Sequence, residues 1–88
     1  MINKIEFIGL TAAILTTIAF VPQVIKVIRS KKTNNLSLTT YVIFTIGVSL
    51  WLVYGLFKNS ISMILGNGIT LVLSSLILYF ILTGKKSN

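Results

Sequence analysis

The chain has 88 residues, 55% of them hydrophobic and only 10% charged, a balance that ordinary water-soluble domains do not show. Eight Lys and Arg against one acid give a net charge of +7, but the cations sit at the ends of apolar runs, where they face lipid headgroups, so no nucleic-acid partner is expected. With no Cys and no His, disulfides, thiol chemistry and the commonest metal sites drop out, and no cofactor or metal centre is expected.

Three runs, Ile5–Ile28, Leu38–Phe57 and Ile61–Leu82, each supply the roughly 20 apolar residues that a helix rising about 1.5 Å per residue needs to cross a ~30 Å hydrocarbon core. They fill nearly the whole chain. The expected fold is an all-α membrane protein, a single three-transmembrane-helix bundle over residues 1–88. The first run is too long for the h-region of a signal peptide, has no small-x-small cleavage site and ends in Val21-Pro22-Gln23, so it is read as a retained helix. Pro22 removes one amide and crowds the carbonyl of Ile18, which predicts a kink. Gln23 follows it and can offer its amide to the backbone groups that a kink frees, so the pair is a candidate hinge. Thr16 and Gln23, seven apart, share one helix face.

The run Ser30-Lys31-Lys32-Thr33-Asn34-Asn35 is too polar for hydrocarbon and is read as a connector, with Asn35 and Ser37 the candidate caps of the second helix. Three spans put the termini on opposite sides. One side then holds Lys4 and Lys58, the other Lys26, Arg29, Lys31, Lys32, Lys85 and Lys86. The positive-inside rule therefore places the N-terminus outside and the C-terminus in the cytosol.

In the second helix Phe44, Trp51 and Lys58 recur at seven, with Gly47 and Tyr54 in the same stripe. Trp51 lies inside the span rather than in the headgroup belt. It is either a packing residue or an apolar platform for the C–H face of a sugar ring. Lys58-Asn59-Ser60 is a tight outer turn in which Asn59 or Ser60 caps the third helix, and both connectors are short enough to predict antiparallel neighbouring helices. The third helix carries Asn67, Thr70 and Ser74 on one stripe. The hydroxyls of Thr16, Thr70, Ser74 and Ser75 are read first as bonding back to their own helix or packing at crossings. Asn67 has more donors and acceptors than its own backbone satisfies, so it must reach another helix, water or a ligand. Gly66 and Gly68 beside it open space for a close crossing or a ligand.

The segments Phe20-Val21-Pro22-Gln23-Val24, Lys32-Thr33 through Leu36-Ser37 and Trp51-Leu52-Val53-Tyr54-Gly55, with Asn67, together resemble the SemiSWEET bacterial sugar transporters of the wider PQ-loop family over essentially the whole chain. The resemblance implies a multi-pass protein of the bacterial cell membrane whose three-helix unit works as a parallel homodimer forming the transport path. It implies a central sugar pocket made by Trp51 and Asn67 of both copies and a hinge at Pro22. It also implies an outer gate at Tyr54 and Lys58, and an inner gate at Phe44. One departure stands out: family members often place an acid beside the outer gate, whereas Lys58 is followed by Asn59-Ser60 with no acid nearby, so the outer gate is expected to close through hydrogen bonds and Tyr54 rather than an ion pair.

The residues themselves also call for two copies, because three helices at 8–10 Å spacing leave no gap between them for a sugar. Glu6, the only acid, lies at the outer edge of the first helix, so no proton relay is visible and uniport is expected. No nucleophile–base pair exists and no enzyme is expected. The alternatives are a PQ-loop amino-acid carrier, which would want a charge near Asn67, a holin-like pore-former, or a helical subunit of a larger complex.

Overall fold

The computed structural model describes residues 3–33 and 36–87. Three helices, α1 (Lys4–Ser30), α2 (Leu38–Phe57) and α3 (Ile61–Ser87), make up nearly all of it, and each is long and apolar enough to cross a membrane. The 20 residues of α2 rise about 30 Å, the thickness of the hydrocarbon core.

The helix ends are set by short-range chemistry. Asn3 Oδ1 accepts from the Glu6 amide at 2.8 Å and so caps α1. At the other end Lys31 turns left-handed with φ 56° and its amide donates to the Val27 carbonyl at 2.7 Å, closing the last turn. Ser37 caps α2 as expected, its Oγ accepting from the Thr40 amide at 3.1 Å; Asn35 lies outside the described residues.

The outer turn divides its labour between the two candidates. Asn59, with φ 53°, takes the left-handed position that ends α2, its amide donating to Leu56 at 3.3 Å while the Ser60 amide reaches back to Gly55 at 3.0 Å. That is a Schellman closure, and Asn tolerates its left-handed residue better than most side chains. Ser60 then starts α3: its carbonyl accepts from the Ile64 amide at 2.9 Å and its Oγ from the Met63 amide at 3.3 Å. Ser60→Ala removes this cap, worth about 1 kcal/mol, together with the hydroxyl's bond to the Glu6 carboxylate, and we expect a lower Tm in detergent. An unchanged Tm would show that the cap is dispensable.

The prediction that α1 and α2 are neighbours is corrected by the structure. The backbones of α1 and α2 both pack on α3 and not on each other, so α3 is the middle helix. Connector length explains it. Seven residues, 31–37, reach up to roughly 23–25 Å when extended, which is more than two helix spacings of 8–10 Å, so α2 can step past the place that α3 takes. The three-residue turn at Lys58 cannot, and it holds α2 and α3 side by side.

Small residues bring the backbones together. A methyl group added at Gly9 would stand 2.8 Å from Ser62 Cβ, and one at Gly66 would stand 3.1 Å from Ala13 Cβ, while one at Gly55 would stand 2.8 Å from Met63 Cβ. Gly9 and Ala13 on α1, and Ser62 and Gly66 on α3, are each four apart, the spacing that lets two membrane helices approach closely. Further along, the contact turns aliphatic: Val24, Ile77 and Ile81 form the buried core, flanked by Phe20, Leu38, Tyr41 and Leu73. Ser74 is fully buried, accepts from Thr45 Oγ1 at 3.2 Å and donates to the Leu71 carbonyl at 3.3 Å. Its hydroxyl therefore joins α2 to α3, as the packing reading expected.

Candidate functional site

Although α1 and α2 are separated by α3, the rings of Phe20 and Phe44 meet, with centroids 6.3 Å apart. The layer is therefore bent, concave on the side that carries those rings. Each residue advances about 100° around a helix, so positions seven apart fall on nearly one line. Trp51 and Lys58 thus follow Phe44 on the concave side of α2, with Gly47 and Tyr54 beside them.

That stripe is aromatic along its length. Near the cytosolic end predicted from charge, Phe44 packs against Phe20 and, edge-on at 6.4 Å, against Tyr41. Phe20 and Tyr41 also lie on the Val24–Ile77–Ile81 core, so this end of the concave face is filled. Toward the other end Trp51 and Tyr54 stack edge to face at 5.4 Å, and Lys58 Nζ lies 5.9 Å from the centre of the Tyr54 ring, within cation–π range. Trp51 is 55% exposed and Tyr54 48%, so both rings are free on one side.

Asn67 lies in a groove of about 240 Å³ between α1 and α3, lined also by Gly9, Ala13, Thr16, Ser62, Gly66 and Thr70. The Asn67 amide donates to the Met63 carbonyl, one turn back, at 3.0 Å. That uses one N–H and leaves the second N–H and Oδ1 for the groove. Thr16 bonds back to the Ala13 carbonyl at 3.1 Å, which spends its proton and leaves its lone pairs. The two glycines beside Asn67 do different things: Gly66 makes the close crossing with Ala13, while the space beside Gly68 is open. Trp51 does not line this groove. Thr16, which lines the groove, lies one turn before Phe20 on α1, so within one copy the carboxamide and the indole stand on different helices on the side of the layer where Phe20 meets Phe44.

Pro22 sits inside α1, which continues to Ser30. The Gln23 side chain is exposed, and it makes no hydrogen bond among the described residues. The geometry gives the reason. Gln23 projects about 100° around the helix from Pro22, toward the stripe of Thr16 and away from the carbonyl that the proline ring crowds.

The outer turn has an acid after all. Glu6 carries its carboxylate from α1 to the start of α3, where Oε2 accepts from Ser60 Oγ at 2.8 Å and Oε1 from the Ser62 amide at 2.9 Å. The sequence places no acid near Lys58; the fold puts one against the residue two positions after it. The visible signal was Asn3-x-x-Glu6, the spacing of a reciprocal capping box, of which only the Asn3 half forms.

Comparison with known proteins places this geometry. Residues 5–64 match the family model for the PQ loop repeat. The chain is 45% identical over 78 residues to the sugar transporter SemiSWEET of Leptospira biflexa, covering 89% of this chain and 92% of that one. With the sugar transporter SemiSWEET of Escherichia coli it shares 35% identity over 86 residues, 98% of this chain and 97% of the relative. The crystal structure of SemiSWEET in the inward-open conformation superposes with a TM-score of 0.90 at 35% identity, covering 98% of this chain and 100% of that one.

Proposed function

This chain belongs to the PQ-loop repeat family, as one of its SemiSWEET proteins, and on that premise we propose that it carries neutral mono- or disaccharides across the membrane by uniport. The working unit is a parallel homodimer whose concave faces enclose the route. Sugar binds between Trp51 and Asn67 of both copies, and the dimer alternates between two states in which one end of the route is open. Pro22 is the hinge of α1. Tyr54 and Lys58 close the outer end, and Phe44 closes the inner end against Phe20 and Tyr41.

One observation carries the reading: the Asn67 groove is lined by small and neutral polar residues and Met63, with no charged side chain, while a free aromatic platform stands on the same concave face. Neutral hydroxyls and C–H faces suit that surface; a carboxylate or an ammonium does not. The volume argues for two copies. At about 240 Å³ the groove is smaller than the 300–1,000 Å³ usual for ligand pockets, whereas two grooves face to face give roughly 480 Å³. The relatives named sugar transporters support the substrate class. The cation-rich connector and tail support a cytosolic C-terminus in a bacterial inner membrane.

The test is uptake into proteoliposomes. Labelled glucose or sucrose should enter saturably and at a rate indifferent to an imposed pH gradient, because the only carboxylate, Glu6, lies at the outer edge and none lies at depth to couple protons. Acceleration by the gradient would end the uniport reading, and release of a large dye would favour a pore. Pro22→Ala restores one helix amide and relieves the crowding of the Ile18 carbonyl by the proline ring; we expect it to leave sugar binding intact and slow transport several-fold, so unchanged turnover would remove the hinge.

A further inference from the structure

The chain's single acid is committed to a contact inside the protomer, and that contact divides α1 into two parts. Glu6 receives the Ser60 hydroxyl and the Ser62 amide, while Ser60 Oγ and Ser62 Oγ stand 3.3 Å apart and both serines are buried. Just beyond, Gly9 lies against Ser62 and Gly66 against Ala13 with no room for a methyl group. From Glu6 to Ala13, then, α1 is joined to α3 by directional hydrogen bonds to a carboxylate and by close backbone approach, neither of which permits sliding. Past Pro22 the partners change. Val24 meets Ile77 and Ile81 through aliphatic side chains, a non-directional contact that tolerates rearrangement.

We propose that Glu6 is a positioning residue for transport: it bolts the outer half of α1 to the start of α3, so that these two move as one body and the change of state is confined to α1 beyond Pro22 and to the aromatic stripe of α2. This inference rests on the alternating-access reading above. Without the bolt, bending at Pro22 dissipates into a loose outer end instead of opening the inner one. The carboxylate acts through Ser60 and Ser62. It neither lines the Asn67 groove nor carries protons.

Glu6→Gln keeps the shape but replaces a two-oxygen acceptor by a group with one. Its maximal uptake rate should fall several-fold while the half-saturating sugar concentration and the Trp51 fluorescence titration stay as they were; an unchanged rate overturns the proposal. The decisive variant uses the absence of native Cys. Glu6→Cys with Ser60→Cys, joined by a short bifunctional methanethiosulfonate bridge, should transport faster than the same protein unbridged, and reduction should reverse the gain. A bridge that stops transport would show that the outer ends of α1 and α3 separate during the cycle, and a bridge without effect would show that the joint is irrelevant. Phe20→Cys with Phe44→Cys, bridged in the same way across the filled end, is expected to halt uptake. If the unsubstituted protein shows no uptake at all, the transport reading fails first. If it transports and Glu6→Gln matches it, only the bolt is wrong.

Discussion

Asn67→Ala should abolish measurable saturable uptake and weaken sugar binding by about two orders of magnitude. The arithmetic follows from what Asn67 has left to offer. One N–H is spent on Met63, so Oδ1 and one N–H remain for a ligand. Losing such a neutral contact costs about 1–1.5 kcal/mol, roughly tenfold in affinity, and a two-fold pocket loses it twice. Trp51 makes the measurement direct, because it is the only tryptophan and stands on the same concave face. Sugar should change its fluorescence saturably in the unsubstituted protein, with the midpoint displaced about 100-fold in Asn67→Ala by the same arithmetic. Equal midpoints would remove Asn67 from the pocket, and an indole indifferent to sugar would remove Trp51.

Gly9→Leu is expected to be the most damaging single change to the fold. Its first carbon alone would stand 2.8 Å from Ser62 Cβ, and three more follow, so the backbones of α1 and α3 must part. Overpacking of this kind costs about 1–3 kcal/mol, and parting the helices also pulls Glu6 away from Ser60. Gly68→Leu is the matched control, since nothing lies within 4 Å of an added Cβ there. In detergent Gly9→Leu should melt several degrees below Gly68→Leu, or fail to accumulate folded. Identical melting of the two would mean that the α1–α3 joint does not depend on small residues.

How much of this was legible beforehand differs from residue to residue. The stripe of Phe44, Trp51 and Lys58 was readable because helical periodicity is local: seven residues bring the chain round to nearly the same line whatever lies opposite. Ser37 and the Lys58-Asn59-Ser60 turn were readable as ends for the same reason, although not which of Asn59 and Ser60 served which helix. The contact of Glu6 with the outer turn was not legible because its partners lie 54 and 56 residues away. What Gln23 faces was not legible from its adjacency to Pro22, because a helix turns successive side chains by about 100°.

The sequence by itself determined that this is a three-helix membrane protein, which end of each helix carries charge, and which side chains share a stripe. All of these follow from composition and from a fixed rise and turn per residue. Only the tertiary structure decided that α3 stands between α1 and α2, that the layer bends toward Phe20 and Phe44, and that a carboxylate from α1 reaches the outer turn. Those outcomes depend on which backbones can come close, and that is settled by pairs of small residues far apart in the chain, whose complementarity appears only when the helices are laid side by side.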